Sequence, residues 1–297
     1  MPRSVGATAP AGRRWWAWAR AAVGVGILGL VAWRLGAGPF VAAVRAVDGV
    51  ALVAAVSLGA VTTVCCAWRW RAIAAGLGVT LPWAGAVAAY YRSQFLNATL
   101  PGGVVGDVHR AVRHGRDIGD VRLGVRAVVL ERLAAQPVHV AVGVVVLTTF
   151  PSPVRGYMPW VAGGVVVAAA VAVAWGWRRP TRIPRSAWAR ALAASTVVVL
   201  GHLATFVIAA RAVGATAPLT QLLPLTLLAL LAMGVPLNIA GWGPREGVAA
   251  WAFGAAGLTA AQGVATSVTY GVLTLVASLP GAVVLAAWSV RRGGARG

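Results

Sequence analysis

The sequence contains no lysine and only six acids: Asp48, Asp107, Asp117, Asp120, Glu131 and Glu246. Charged residues make up 11% of the 297, against roughly 25% in soluble domains. A water-soluble globule cannot cover itself with so few charges. No hydrophilic stretch reaches the size of a soluble domain, about 50 residues or more. That excludes a soluble enzyme carried on a membrane anchor. Cysteine is scarce too. Cys65 and Cys66 are adjacent inside an apolar run, and neighbouring cysteines rarely bridge, so neither a disulfide framework nor a zinc site is expected. His109, His114, His139 and His202 lack metal-ligand spacing. Nucleophile elbows, Walker loops and dinucleotide fingerprints are missing, and no cofactor is expected.

What is present is apolar sequence, 59% of the chain. Six segments are long enough to cross a hydrocarbon core of about 30 Å, which takes about 20 residues. They lie near 19–37, 49–68, 126–149, 157–177, 189–210 and 264–289. The predicted fold class is therefore all-α, a polytopic membrane protein, and residues 1–297 form a single integral membrane domain. Asp48 precedes the second span as a helix N-cap, and Pro137 within the third is tolerable in a membrane helix. The N-terminus, 1–18, is basic; a retained first span is expected rather than a cleaved signal. Most of the 14 Trp, Trp68 and Trp70 among them, stand near span ends as an interfacial belt.

All 26 basic residues are Arg, and the net charge is +20. In a soluble protein this balance suggests nucleic acid. Here the arginines sit between apolar spans, so topology and anionic lipid headgroups explain them better, and no nucleic-acid partner is expected. Arginines before span one, after span two, before span three, between spans four and five, and after span six share one side. The bias predicts a multi-pass protein of the cytoplasmic (inner) membrane with both termini in the cytoplasm.

Parity then constrains the rest. Span two ends inside at Arg69 and span three begins inside near Arg126. Residues 81–106 must enter and leave on one side, yet are too few for two crossings. A re-entrant hairpin fits, with a helix near 84–98, a break at Leu100-Pro101-Gly102-Gly103 and a short return. Residues 218–262 likewise go in and come back around a break at 235–246, as a hairpin or as two tilted crossings. Residues 49–149 and 189–290 then read as inverted repeats with broken helices, giving eight helical segments or more, an architecture used by transporters.

The strongest constellation runs from Tyr90 to Arg132: YYRSQFLNATLPGGVVGDVHR, a basic loop, then VVLERL. Glycines let a backbone approach a ligand closely, and a helix beginning after them points N–H groups at an anion. Asp107 and Arg110 are three apart and share a helix face. Glu131 and Arg132 fall about one turn into span three, where an ionisable residue marks a functional hypothesis. The bland alternative is that the glycines serve packing, Asp107 caps a helix, and Arg110, Arg113, Arg116 and Arg122 set topology. The second constellation is NIAGWGPRE, in which Arg245 and Glu246 either bind a phosphate or neutralise each other.

FLNATLPGGVVGDVHR, VVLERL and GWGPREG together resemble the flippase-like integral membrane family that includes the transmembrane region of lysylphosphatidylglycerol synthases. The likeness spans nearly the whole chain from Trp68-Arg69-Trp70 onward. It implies a lipid-handling membrane protein that moves a headgroup between leaflets. The family motif falls on Asn97, Pro101, Gly103, Gly106, Asp107, Arg110, Glu131 and Arg132, and on Gly241, Gly243, Arg245 and Glu246; Gly102 and Asn238 stand beside them in the two breaks. The synthases carry a soluble aminoacyl-transfer domain after the membrane part, and this sequence ends at Gly297. It is expected not to make lysylphosphatidylglycerol itself, and no catalytic residue is assigned.

The leading expectation is a lipid flippase or transporter acting on an anionic phospholipid or polyprenyl-phosphate-type lipid. One alternative is a membrane-embedded enzyme on a lipid phosphate, for which Asp107, Glu131 and His109 are the acid–base candidates. Another is an accessory subunit of a lipid synthase or glycosyltransferase.

Overall fold

A computed structural model describes residues 38–100, 103–167, 183–234 and 243–293, together with Gly29, Trp33 and Gly36. The described chain is helical, with no strand among the described residues. Its helices are α1 (Gly38–Arg45), α2 (Gly49–Gly76), α3 (Trp83–Thr99), α4 (Val105–Asp117) and α5 (Val121–Thr149) in the first half. The second half holds α6 (Arg185–Ala212), α7 (Leu219–Ala232), α8 (Pro244–Ala255), α9 (Ala260–Ser278) and α10 (Pro280–Gly293). Residues 158–167 are also helical. Among the described residues four stretches are long and apolar enough to span: Gly49–Gly76, Val121–Thr149, Arg185–Ala212 and Ala260–Ala287. They match four of the six expected spans. Most of the expected span 19–37 and the second half of the expected span 157–177, from residue 168, fall outside the described residues.

The distribution of polarity is that of a membrane protein. On α2, Arg69 is 4% exposed while Val53 is 68% exposed. Valines on α2 and α5 face outward in the same way. In water this arrangement would be inverted; in lipid the outward valines meet hydrocarbon, and polar groups must find partners inside.

Asp48 caps α2 as predicted, its carboxylate accepting the Ala51 N–H at 2.7 Å. Asp120 caps α5 by accepting the Leu123 N–H at 3.0 Å. That cap starts α5 five residues before the expected boundary, so Glu131 lies about three turns into the helix rather than one. The helix continues through Pro137. The expected last span is broken at Pro280, which ends α9 and starts α10.

α2 and α6 pack against each other at the centre, with small residues at the crossing. A Cβ at Gly201 would collide with Thr62, and one at Gly59 with Ala277 of α9. Close approach of small residues replaces the hydrophobic effect as the means of packing helices in lipid. Around this pair, α5 packs on α6 and α9 on α2. α3 with α4, and α7 with α8, form two antiparallel helix pairs leaning on α5 and α9. Gln221 at the start of α7 donates to the Ala256 carbonyl beyond the end of α8 at 2.8 Å, which fixes the second pair as antiparallel.

The return arm of the first pair differs from expectation. It is not a short apolar segment followed by a basic loop. It is α4, polar in sequence but with one buried face of Gly106, Asp107, Arg110, Ala111, His114 and Gly115. The charges that read as a loop are one helix seen without its partners.

Candidate functional site

The site is assembled from α2, α3, α4, α5 and α6. Val104 stands at the N-cap of α4 and has no side-chain oxygen to offer the open N–H groups. Asn97 of α3 does this instead: its Oδ1 accepts the Gly106 N–H at 2.7 Å. The contact requires α3 and α4 to lie very close. Gly106 permits it, since a Cβ there would collide with the Ser93 carbonyl. Gly103 makes the preceding turn with φ of 60°, a conformation that favours glycine.

The other amide atom of Asn97, Nδ2, donates to Asp107 at 3.0 Å. Asp107 also accepts from the Ser93 hydroxyl at 3.1 Å and from Arg110 Nη2 at 3.1 Å. Its Oδ2 accepts from Arg132 Nη2 on α5. Glu131, wholly buried, is the second hub. It takes Arg69 Nε at 2.6 Å, the Tyr90 hydroxyl at 2.7 Å and Arg110 Nη2 at 3.0 Å. Arg69 Nη1 reaches on to Ser195 of α6 at 3.1 Å. Both carboxylates therefore have multiple donors, the condition under which a buried ion pair holds in a low-dielectric interior. Arg110 bridges the two hubs. Its guanidinium lies 4.1 Å from the Tyr90 ring centre and 4.6 Å from that of Trp70. These π faces cover a cation whose Nε and Nη1 have no hydrogen-bond partner.

The second constellation lies on α8 and α9. Gly243 has φ of 110°, and its N–H is accepted by Glu246 Oε2 at 2.7 Å. Glu246 Oε1 accepts from Arg245 Nε at 2.8 Å, Arg245 Nη2 at 2.6 Å and the Ser267 hydroxyl at 3.0 Å. Arg245 and Glu246 thus form a buried ion pair. Arg245 stands 5.2 Å over the Tyr270 ring, and the Tyr270 hydroxyl contacts His202 Nδ1 of α6 at 2.9 Å. α6 thus touches the first cluster through Ser195 and the second through His202.

The structure therefore brings together Asn97, Gly106, Asp107, Arg110, Glu131 and Arg132, with Gly103 in the turn that leads to them. Gly243, Arg245 and Glu246 form the second cluster. Pro101, Gly102, Asn238 and Gly241 lie outside the described residues. Several participants were not nominated from sequence. Arg69 reads as a topology signal and Trp70 as part of an interfacial belt, yet both are buried against the first cluster. Ser93 lies inside the first constellation but is not singled out there, and Ser195, Ser267 and Tyr270 carry no motif signal; only the fold places them. In α4, burial pushes the His114 imidazole pKa down, and the edge of that ring meets Trp70 at 5.1 Å.

An all-helical membrane protein with charged networks in its interior is the class that this fold and site define. The chain belongs to the family of the lysylphosphatidylglycerol synthase transmembrane region, whose family model matches residues 17–281. Membership connects it to lipid-related function in a membrane. A comparison with curated proteins found no match.

Proposed function

We propose that the protein is a lipid flippase or lipid transporter. It carries a phospholipid or polyprenyl-phosphate-type lipid across the cytoplasmic membrane. One observation carries this reading: three guanidiniums, Arg69, Arg110 and Arg132, face only two carboxylates, Asp107 and Glu131. The cluster holds an excess positive charge, and in a low-dielectric setting a single excess charge seeks a counter-ion strongly. Arg132 is the member able to offer it, since its side chain is 51% exposed while Arg69 and Arg110 are enclosed. A lipid phosphate suits the guanidinium fork, which binds planar pairs of oxygens. Asp107 holds Arg132 at the edge of the network and releases it when a phosphate competes. The acyl tails remain in the bilayer while the headgroup follows the polar interior.

The inverted relationship of the halves is part of the same proposal, because alternation between two faces is what such repeats do. Both termini are then cytoplasmic. The test is a reconstituted-liposome assay with labelled phosphatidylglycerol and a labelled polyprenyl phosphate. Arg132→Ala, whose side chain is half in solvent, is expected to fold and to move lipid at least about tenfold more slowly, the loss of one charge-assisted contact. Equal rates for wild type and variant defeat the proposal. Conversion of the lipid phosphate to a new product would favour a membrane-embedded enzyme instead.

A further inference from the structure

Arg92 of α3 takes no part in the network described above. It is 5% exposed, and its Nε is buried without a hydrogen-bond partner. Every other interior guanidinium with a described carboxylate beside it forms an ion pair; among the described residues none forms one with Arg92. A neighbour of the same sign stands beside it. Arg113 of α4 faces it electrostatically, and Arg92 and Arg113 together act on His109 one turn earlier on α4. Asp117 is the acid that acts on Arg92. It is mostly exposed at the end of α4 and stands 4.0 Å from Arg113. His109, Arg113 and Asp117 are spaced by four and form one stripe of α4. The Asp107, Arg110 and His114 face is a different stripe, so this cluster is separate from the one that holds Glu131.

A buried guanidinium without a counter-ion is strongly unfavourable. The Arg113 guanidinium beside it makes the arrangement worse unless an anion is bound. Burial, followed by the Arg92 and Arg113 charges, holds the His109 imidazole below its ordinary range, so it stays neutral and can offer a ring N–H to an anion without adding charge. By the arginine bias, the end of α4 belongs to the side carrying most of the basic residues, where anionic headgroups are dense.

We propose that Arg92, with Arg113 and His109 of the facing helix, is a phosphate-binding site distinct from the Arg110–Glu131 network. The phosphate is that of a membrane lipid headgroup or free inorganic phosphate. Either would supply the missing acceptor to Arg92 Nε and offset the like charge of Arg113. The site does not depend on translocation, and its readout is binding alone.

The test uses the full chain purified in detergent, with three probes: phosphatidylglycerol, dioleoylglycerol as a tail-matched lipid lacking phosphate, and inorganic phosphate. Affinity is read by native mass spectrometry and by ligand-induced change in melting temperature. Arg92→Gln is expected to weaken phosphatidylglycerol binding by about tenfold, the effect of one charge-assisted hydrogen bond, and to leave dioleoylglycerol unchanged. Arg113→Gln, whose side chain is 31% exposed, provides a second variant whose folding is safe. It is expected to weaken binding in the same direction. Arg116→Gln, exposed on the same helix, is the control and should stay within twofold. Inorganic phosphate competing with phosphatidylglycerol in wild type but not in Arg92→Gln assigns the site to free phosphate. Loss confined to the lipid probe assigns it to a headgroup. Phosphatidylglycerol affinity within twofold of wild type in both Arg92→Gln and Arg113→Gln overturns the proposal.

Discussion

Each of the six acids has an assignment at the level of single residues. Asp48 and Asp120 cap helices, Asp117 sits near Arg113, and Asp107, Glu131 and Glu246 hold interior guanidiniums. The scarcity of acids made the last three visible in sequence, because burial of a carboxylate in an apolar span needs a reason. Arg69 was not visible in the same way. In a chain with 26 arginines, one at the end of a span reads as topology. Its role depends on Glu131, 62 positions away, and no local pattern encodes that pairing. The strength of the pairing is testable. Glu131→Gln keeps the shape but leaves Arg69 and Arg110 facing a neutral group. The expected loss is about 3–5 kcal/mol of stability, the usual effect of breaking a buried pair from one side. Arg69→Met combined with Glu131→Leu should lose much less than the sum of the separate variants, because neither charge is then left alone. Unfolding in mixed micelles measures both; simple additivity would show that the two groups do not interact.

Among the elements, α3 and α4 were only half legible. Leu100-Pro101-Gly102-Gly103 announced a break, and the apolar run before it announced a helix. The stretch after it looked like a basic loop because hydropathy is averaged over all faces of a helix. α4 is stable where it is because Asn97 caps its first turn and Gly106 lets it touch α3. Gly281 does the same between α10 and α3, where a Cβ would meet the Tyr91 carbonyl. Gly106→Ala and Gly281→Ala are therefore each expected to destabilise by about 1–3 kcal/mol or more, since the obstacle is backbone that cannot rotate away. Gly243→Ala is expected to cost about 1–3 kcal/mol for a different reason, its φ of 110°. Gly85→Ala is the comparison. Only Pro82 lies near the added carbon there, at 3.9 Å, and Ala suits a helix better than Gly. Its stability should equal or exceed that of wild type. Melting curves on the four variants decide, and a Gly85→Ala loss matching the others would mean that close packing is not the cause.

In the molecule as a whole, the proposed topology rests on the arginine distribution and the proposed internal relationship on the two glycine-rich breaks. The inverted-repeat proposal gains support from packing that exchanges under a swap of halves. α5 rests on α6 as α9 rests on α2, while α4 with α5 corresponds to α8 with α9. Asp107 and Glu246 are both the third residue of their helices. Gly124 and Gly263 are both the fourth, and each meets a carbonyl of the preceding helix, that of Ala111 or Ala249. This correspondence was faint in sequence because backbone contacts, not side-chain identity, maintain it. The proposal makes a firm demand on orientation. The turn between α4 and α5 must face the cytoplasm, and the turn between α8 and α9 must face the opposite side. Arg116→Cys and Ala255→Cys place exposed thiols beside those two turns. In a background with Cys65 and Cys66 replaced by serine, a membrane-impermeant maleimide applied to intact cells should label position 255 and spare position 116 until the membrane is opened. If both label from one side, the halves are not inverted, and the alternation required for carrying a headgroup between leaflets has no structural basis in this chain.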